Sequence, residues 1–286
     1  MDRRIAALVL LASGFAIALG FHFGTDRATP ERQAAPSAIS HGPAPLRIDG
    51  VVVEARALSA QCRVASAPFE GHAPLPSVRR ALMEQRPARI VSLGPSSVLS
   101  ADTSSPIASY PSELERDLEA SGVDVEIIAR TQEGAVAGDA AERLKAEVTR
   151  LRPDLLVWQV GTNDAVARLD ADGFADRLRE TLGWLASHKI DVVLVDPQYV
   201  ARLSDDEGYT GIVDRVAAVA SEKHVLRVNR YDAMADLART HPSWSHLTAD
   251  RFRLSDMGYR CAAEYTADAI VAGVNVAAKA DGGLTR

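Results

Sequence analysis

From Arg89 onward, apolar residues fall into two alternating patterns. Short continuous runs rich in Val, Ile and Leu occur in "RIVSLG", "DVEIIAR", "DLLVWQV", "DVVLVD" and "HVLRVN". Between them lie longer stretches in which apolar positions recur every three or four residues: "YPSELERDLEASG", "GDAAERLKAEVTRLR", "GFADRLRETLGWLASHK" and "YTGIVDRVAAVASEK". A last such stretch follows Ser255. The continuous runs predict strands covered on both faces, and the periodic stretches predict amphipathic helices. Regular alternation of the two requires parallel strands joined by right-handed crossovers. The expected fold class is therefore α/β: a three-layer, doubly wound, parallel five-stranded sheet in the order 2-1-3-4-5. On such sheets ligands bind beyond the carboxyl ends of the strands, so the residues after each run carry the chemistry.

Upstream the pattern is weaker. "GVVVEARAL" reads as a short strand, and "SVRRALMEQ" as a helix with Val78, Leu82 and Met83 on one face. The stretch from about Thr25 to Pro45 is rich in Ala, Pro and Ser, without apolar period, and reads as a linker. Before it, two arginines precede an apolar run from Ile5 to about Phe23, the layout of an export signal. That run lies between an ordinary signal core and a full bilayer span in length. Cutting at the small-x-small site Ala16-Ile17-Ala18 would leave apolar residues at the new terminus, so an uncleaved anchor is expected, positive end in the cytoplasm. The expected division is a signal peptide or signal anchor over 1–23, a linker over 24–48, an N-terminal arm over 49–87 and the main domain over 88–286. The body of the protein is then exported and periplasmic, held at the inner membrane by its N-terminal segment.

Composition narrows the field. At 47% hydrophobic residues the chain can bury a sizeable core. A net charge of −6, with no basic stripe outside the extreme N-terminus, argues against nucleic acid as a partner. Neither a Cys/His cluster nor a phosphate loop after the first strand is present, so neither metal nor cofactor is expected. A monomer is expected. Export changes the meaning of the two cysteines, Cys62 in the arm and Cys261 early in the last helix. Outside the cytoplasm they are expected to pair and staple the arm to that helix; the alternative is two small buried side chains that never meet.

The strand ends present Ser96 and Ser97 in "LGPSSVLS", Gly138 in "AGDA", Asn163 in "GTND", and Gln198 and Tyr199 in "DPQYV". Asp250 arrives just before the last helix in "DRFRLSDMGY". Each alone has an ordinary explanation: a serine after a strand caps a helix, and glycine and asparagine make turns. Together and in this order they resemble the SGNH hydrolase family, the GDSL-type esterases and lipases, from about Arg89 to the final helix. The family's first motif, Gly-Asp-Ser, stands here as Gly94-Pro95-Ser96, and the glycine of its second matches Gly138. The third, Gly-x-Asn-Asp, is intact as Gly161-Thr162-Asn163-Asp164. The last, Asp-x-x-His, falls on Asp250-Arg251-Phe252-Arg253, with an arginine at the place of the base. The resemblance implies a flavodoxin-like SGNH hydrolase fold and a serine esterase or acyl-hydrolase lineage.

The resemblance also implies roles. Ser96 is the nucleophile, with Ser97 as fallback if the turn is displaced by one residue. The backbone N–H groups of Ser96 and Gly138 and the amide of Asn163 are the oxyanion donors. Pro95 removes a backbone donor without touching the base. Arg253 is more serious: a guanidinium has donors only and stays charged, so it cannot accept the serine proton. Without one triad member, catalysis drops to roughly 10³–10⁴-fold over water. Other bases are conceivable. His246 lies in a loop shortly before Asp250, and reads equally as a surface histidine; His241 is farther off; Asp250 alone would be weak beside Arg253. Arg253 either pairs with Asp250 or holds a carboxylate or phosphate in the vacated place. Gln198 and Tyr199 line a substrate rim or simply shape the turn after Pro197. Two functions stay open. One is an impaired esterase acting on a small-molecule or glycan ester, with acylated envelope glycans expected from family and compartment. The other is a non-catalytic pseudo-hydrolase that binds an acylated or anionic ligand or an envelope protein.

Overall fold

The computed structural model describes residues 46–48, 51–94, 109–131, 136–241, 248–249 and 253–282. A short hairpin of β1 (Leu46–Ile48) and β2 (Val51–Val53) comes first, then β3 (Phe69–Glu70) and α1 (Pro76–Met83). The alternating part begins with β4 (Ala88–Gly94), α2 (Tyr110–Ala120), β5 (Val125–Thr131), α3 (Ala137–Leu151) and β6 (Leu155–Gln159). It continues with α4 (Thr162–Val166), α5 (Ala171–Ser187), β7 (Asp191–Val195), α6 (Glu207–Glu222), β8 (Leu226–Val228) and α7 (Arg230–Thr240). A second hairpin, β9 (Thr248–Ala249) with β10 (Arg253–Leu254), leads into the long α8 (Asp256–Gly282).

The five apolar runs are β4 to β8, all parallel, in the order β5-β4-β6-β7-β8, which is the expected 2-1-3-4-5. Their continuous apolar character follows from burial on both faces. Along β6 and β7, Leu155, Val157, Val193 and Val195 enter the core shared with α1, α2, α7 and α8. Leu156, Trp158, Val192 and Leu194 enter the opposite core, shared with α3, α5 and α6. The result is three layers.

Three features depart from the sequence expectation. A sixth strand, β3, pairs antiparallel with β8 at the edge of the sheet. At two residues it is too short to show any period. Helix α7 was not foreseen either; its apolar stripe is thin because Arg230 and Asp236 are buried with Met234 and Leu237. In α1, Val78 and Ala81 are buried while Met83 is 50% exposed. Met83 lies five residues beyond Val78, about 140° round the helix, so the two cannot share a face.

The arm is stitched onto the last helix. Leu75 N–H donates to Gly273 O at 3.1 Å, and a Cβ at Gly273 would meet Leu75 Cγ at 2.6 Å, so glycine is what permits this approach. Tyr265 donates its hydroxyl to Cys62 O at 2.7 Å. Cys62 and Cys261 form the expected disulfide, across 199 positions of sequence. For a loop of that length the chain-entropy relation gives about 5 kcal/mol. Among the described residues no helix is long and apolar enough to cross a membrane. The apolar run expected to be a signal or anchor lies outside them.

Candidate active site

The carboxyl edge of the sheet carries the chemistry-bearing loops. After β6 the chain turns at Gly161, whose φ is +91°. Glycine is needed there twice over. The left-handed backbone disfavours any side chain, and a Cβ would meet Ile212 Cγ2 at 3.0 Å and Pro197 Cγ at 3.1 Å. This turn delivers Thr162, Asn163 and Asp164 into the first turn of α4, with Asn163 half-buried and Asp164 only 2% exposed.

Asp164 ties two loops together. Its Oδ1 accepts the N–H of Ala137, the first residue of α3, at 2.8 Å. Gly138 and Asn163 are next in sequence to the two ends of that bond, so the segments carrying the second-motif glycine and the third-motif asparagine are tied together. The Gly138 N–H lies in the first turn of α3, where N–H groups have no partner within the helix. Burial pushes the Asp164 carboxyl up, opposed by the Ala137 N–H and by the Arg177 guanidinium. Arg177 also covers Gly138: a Cβ there would stand 3.1 Å from Arg177 Cδ.

Behind this pair lies a buried polar network that sequence reasoning missed. Asp196, just after β7, is fully buried and pairs with Arg227 at 2.6 Å. It also accepts the backbone N–H of Tyr231 at 2.9 Å. Burial pushes the Asp196 carboxyl up, against the pull of the Arg227 guanidinium paired with it. Arg230, 3% exposed, reaches Asp196 O through Nε (3.0 Å) and Nη2 (2.6 Å), and Gln159 Oε1 through Nη1 (2.8 Å). The ends of β6, β7 and β8 are thereby locked to one another. Tyr209, at the start of α6, donates its hydroxyl to Gln198 O at 2.7 Å and also bonds the side chain of Thr162.

Of the expected site residues, Gly138 and Asn163 lie on segments joined through the Ala137–Asp164 bond. Gln198 does not form a rim: at 4% exposure it is buried beneath the edge, because its main chain is drawn inward by the Tyr209 hydroxyl. Tyr199 is half-buried and packs edge-on against Tyr231, ring centroids 5.5 Å apart. Ser96, Ser97, His246 and Asp250 lie outside the described residues. The backbone of Arg253 is in β10, paired with Ala249; its side chain is outside what is described. His241 closes α7. Among the described residues, no group of three or more His, Cys, Asp or Glu is placed to hold a metal ion. Of the residues that sequence reasoning did not single out, Asp164 carried a visible signal, since it completes "GTND". Asp196, Arg230 and Tyr209 carried none, because their partners are distant in the chain.

A parallel 2-1-3-4-5 sheet with an intact Gly-x-Asn-Asp turn after its third strand is the arrangement of an SGNH hydrolase-like protein. The chain belongs to the non-GDSL lipase-like family, whose model it matches over residues 61–276. The family's description fits the departure at Gly94-Pro95-Ser96. Solved structures of similar fold include an acetyl xylan esterase, AlAXEase, with a TM-score of 0.56 and 22% identity over 64% of this chain and 99% of that one. A lipase/acylhydrolase from Enterococcus faecalis gives 0.54 and 23%, over 64% and 95%. TesA gives 0.55 and 15%, over 64% and 97%. At such identities the likeness establishes the fold. No curated protein of similar sequence was found.

Proposed function

We propose that this protein is an exported member of the serine esterase lineage that binds an acyl ester, with acylated envelope glycans as substrate class, and turns it over slowly. The observation that supports the reading is the Ala137–Asp164 hydrogen bond, which ties the start of α3, where Gly138 lies, to the turn that carries Asn163. On this reading the Gly138 N–H and the Asn163 amide are the donors that receive the charge developing on a carbonyl oxygen. Ser96 is the nucleophile. What slows turnover is Arg253: with only donors at the base position, the serine keeps its proton. The chemistry would retain ester recognition while losing most of the rate. Export rests on the arginine-flanked apolar run at the N-terminus and agrees with the disulfide.

The test is labelling by a serine-reactive fluorophosphonate, located by mass spectrometry. Wild type should label slowly, Ser96→Ala not at all, and Arg253→His much faster than wild type. Labelling that survives Ser96→Ala, or absence of labelling in all three, would overturn the assignment of the nucleophile. Fast labelling of wild type that is lost in His246→Ala would instead make His246 the base.

A further inference from the structure

Where α2 packs against α8, the arm lies over both helices from Arg56 to Ser59 without closing on them. A cavity of about 350 Å³ remains, lined by Arg56 from the arm, Arg116 and Asp117 from α2, and Arg260, Glu264 and Asp268 from α8. Three carboxylates thus share one partly sheltered space. Glu264 Oε2 accepts the Ser59 N–H at 2.8 Å, a direct tie between arm and helix, and its other oxygen faces Arg260 Nε at 3.7 Å. Asp117 Oδ1 meets Arg116 at 3.2 Å, while its Oδ2 is buried without a hydrogen-bond partner. Arg116 is shared with Glu113 as well.

Asp268 is placed differently. It is half-buried, and the charges that act on it are Glu264 and Asp117, both of its own sign. The phenols on these faces are Tyr110, which donates to Thr266, and Tyr265, which donates to Cys62 O; both stay neutral where carboxylates titrate. Asp236 of α7, which bears on Tyr265, is taken by the Ser66 N–H and by Arg239. Like charges in a sheltered space repel, and the repulsion is relieved when one takes up a proton or when the space opens to water. Burial first, and then Glu264 and Asp117, push the Asp268 carboxyl up to about 7. An ordinary aspartate lies at about 4.

We propose that Asp268 is a pH-sensitive latch for the arm: protonated, it lets the arm close over the cavity, and ionised, it loosens the arm from α8 so that the three carboxylates regain water. The Cys62–Cys261 bridge, just beyond Ser59, keeps the arm tethered in both states. The latch stands apart from the hydrolytic reading, since it uses no residue of the carboxyl edge. Its sign follows from the raised value in the closed state. Closure is favoured most below about pH 4, weakens as the pH rises to about 7, and changes no further above that.

Amide hydrogen exchange of the full, oxidised chain tests it, read on peptides covering residues 56–62 at about pH 5 and about pH 8 and corrected for the intrinsic pH dependence of exchange. Wild type should be less protected at the higher pH by about tenfold or more, the ratio supplied by one pK unit between closed and open arm. Asp268→Asn, which cannot ionise, should be equally protected at both, near the wild-type level in acid. Asp268→Ala gives the same comparison should Asp268→Asn fail to fold. Peptides from β6 and β7 should show no such difference. The latch is overturned if wild type is equally protected at both pH values, if the Asp268 variants keep the wild-type difference, or if Asp268→Asn loses protection at both. A difference as large in β6 and β7 would mean loosening of the whole fold and would equally overturn it.

Discussion

At the amino edge of the sheet, two carboxylates are taken up by the chain itself. Asp191 Oδ2 accepts the N–H groups of Ser77 (2.8 Å) and Val78 (3.1 Å), at the positive end of α1. Asp154 takes Arg86 through both oxygens, at 2.7 and 2.8 Å, and the N–H of Arg89 at 2.9 Å. At the carboxyl edge, Asp164, Asp196, Arg227 and Arg230 are occupied in the same way, but there they join loop to loop. One edge uses its polar groups to fasten α1 and the arm. The other uses them to brace the loops that carry the third-motif residues.

That contrast makes separable predictions. The largest effect should follow Asn163→Ala. In the Arg253→His background it should slow fluorophosphonate labelling by roughly 10²–10³-fold, the worth of one oxyanion donor, with the melting temperature unchanged. A large fall in melting temperature would mean that Asn163 is mainly a brace. Asp191→Ala should do the reverse. It strands two buried N–H groups and should cost about 1–3 kcal/mol in chemical denaturation, while labelling stays as in the parent. Slower labelling would break the separation of the two edges. The smallest effect is expected for Asp191→Asn, which keeps an acceptor for Ser77 and Val78. Burial pushes the Asp191 carboxyl up to about 6, against the opposing Val78 and Ser77 N–H groups, from an ordinary value near 4. A raised value in the folded state means that this group's contribution is greatest below about pH 4, declines as the pH rises to about 6, and is flat beyond. Melting temperatures of Asp191→Asn should therefore match wild type near pH 4 and exceed it at pH 7. Equal differences at both pH values would rule out ionisation as the cause.

Much of this fold was legible because its strands are buried on both sides. Runs such as "DLLVWQV" and "DVVLVD" have no polar face to confuse with a helix, and their alternation with periodic stretches dictates the topology. What was not legible depends on contacts between distant parts of the chain. Strand β3 exists because the edge of β8 was available, and nothing in Phe69 and Glu70 announces that. Helix α7 hid because Arg230 and Asp236 are buried by partners elsewhere, so its pattern reads as mixed. At the site, "GTND" identified Gly161 and Asn163, and the physical need for glycine at +91° explains the first. The purpose of Asp164 became visible only with Ala137, which precedes it by 27 positions. Gln198 was read correctly as a residue of the ligand edge and wrongly as rim, since burial at a strand end is set by Tyr209 from another helix.

The bridge between Cys62 and Cys261 has a consequence for biogenesis. Its second half is encoded near the end of the chain, so the covalent link cannot close until the sheet and nearly all of its helices have been synthesised. The covalent hold on the segment from the hairpin to α1 is therefore added only after the residues of the sheet have been made. Protein made where thiols stay reduced would hold that segment by hydrogen bonds and packing alone, and its release would be the first sign of a change in redox conditions.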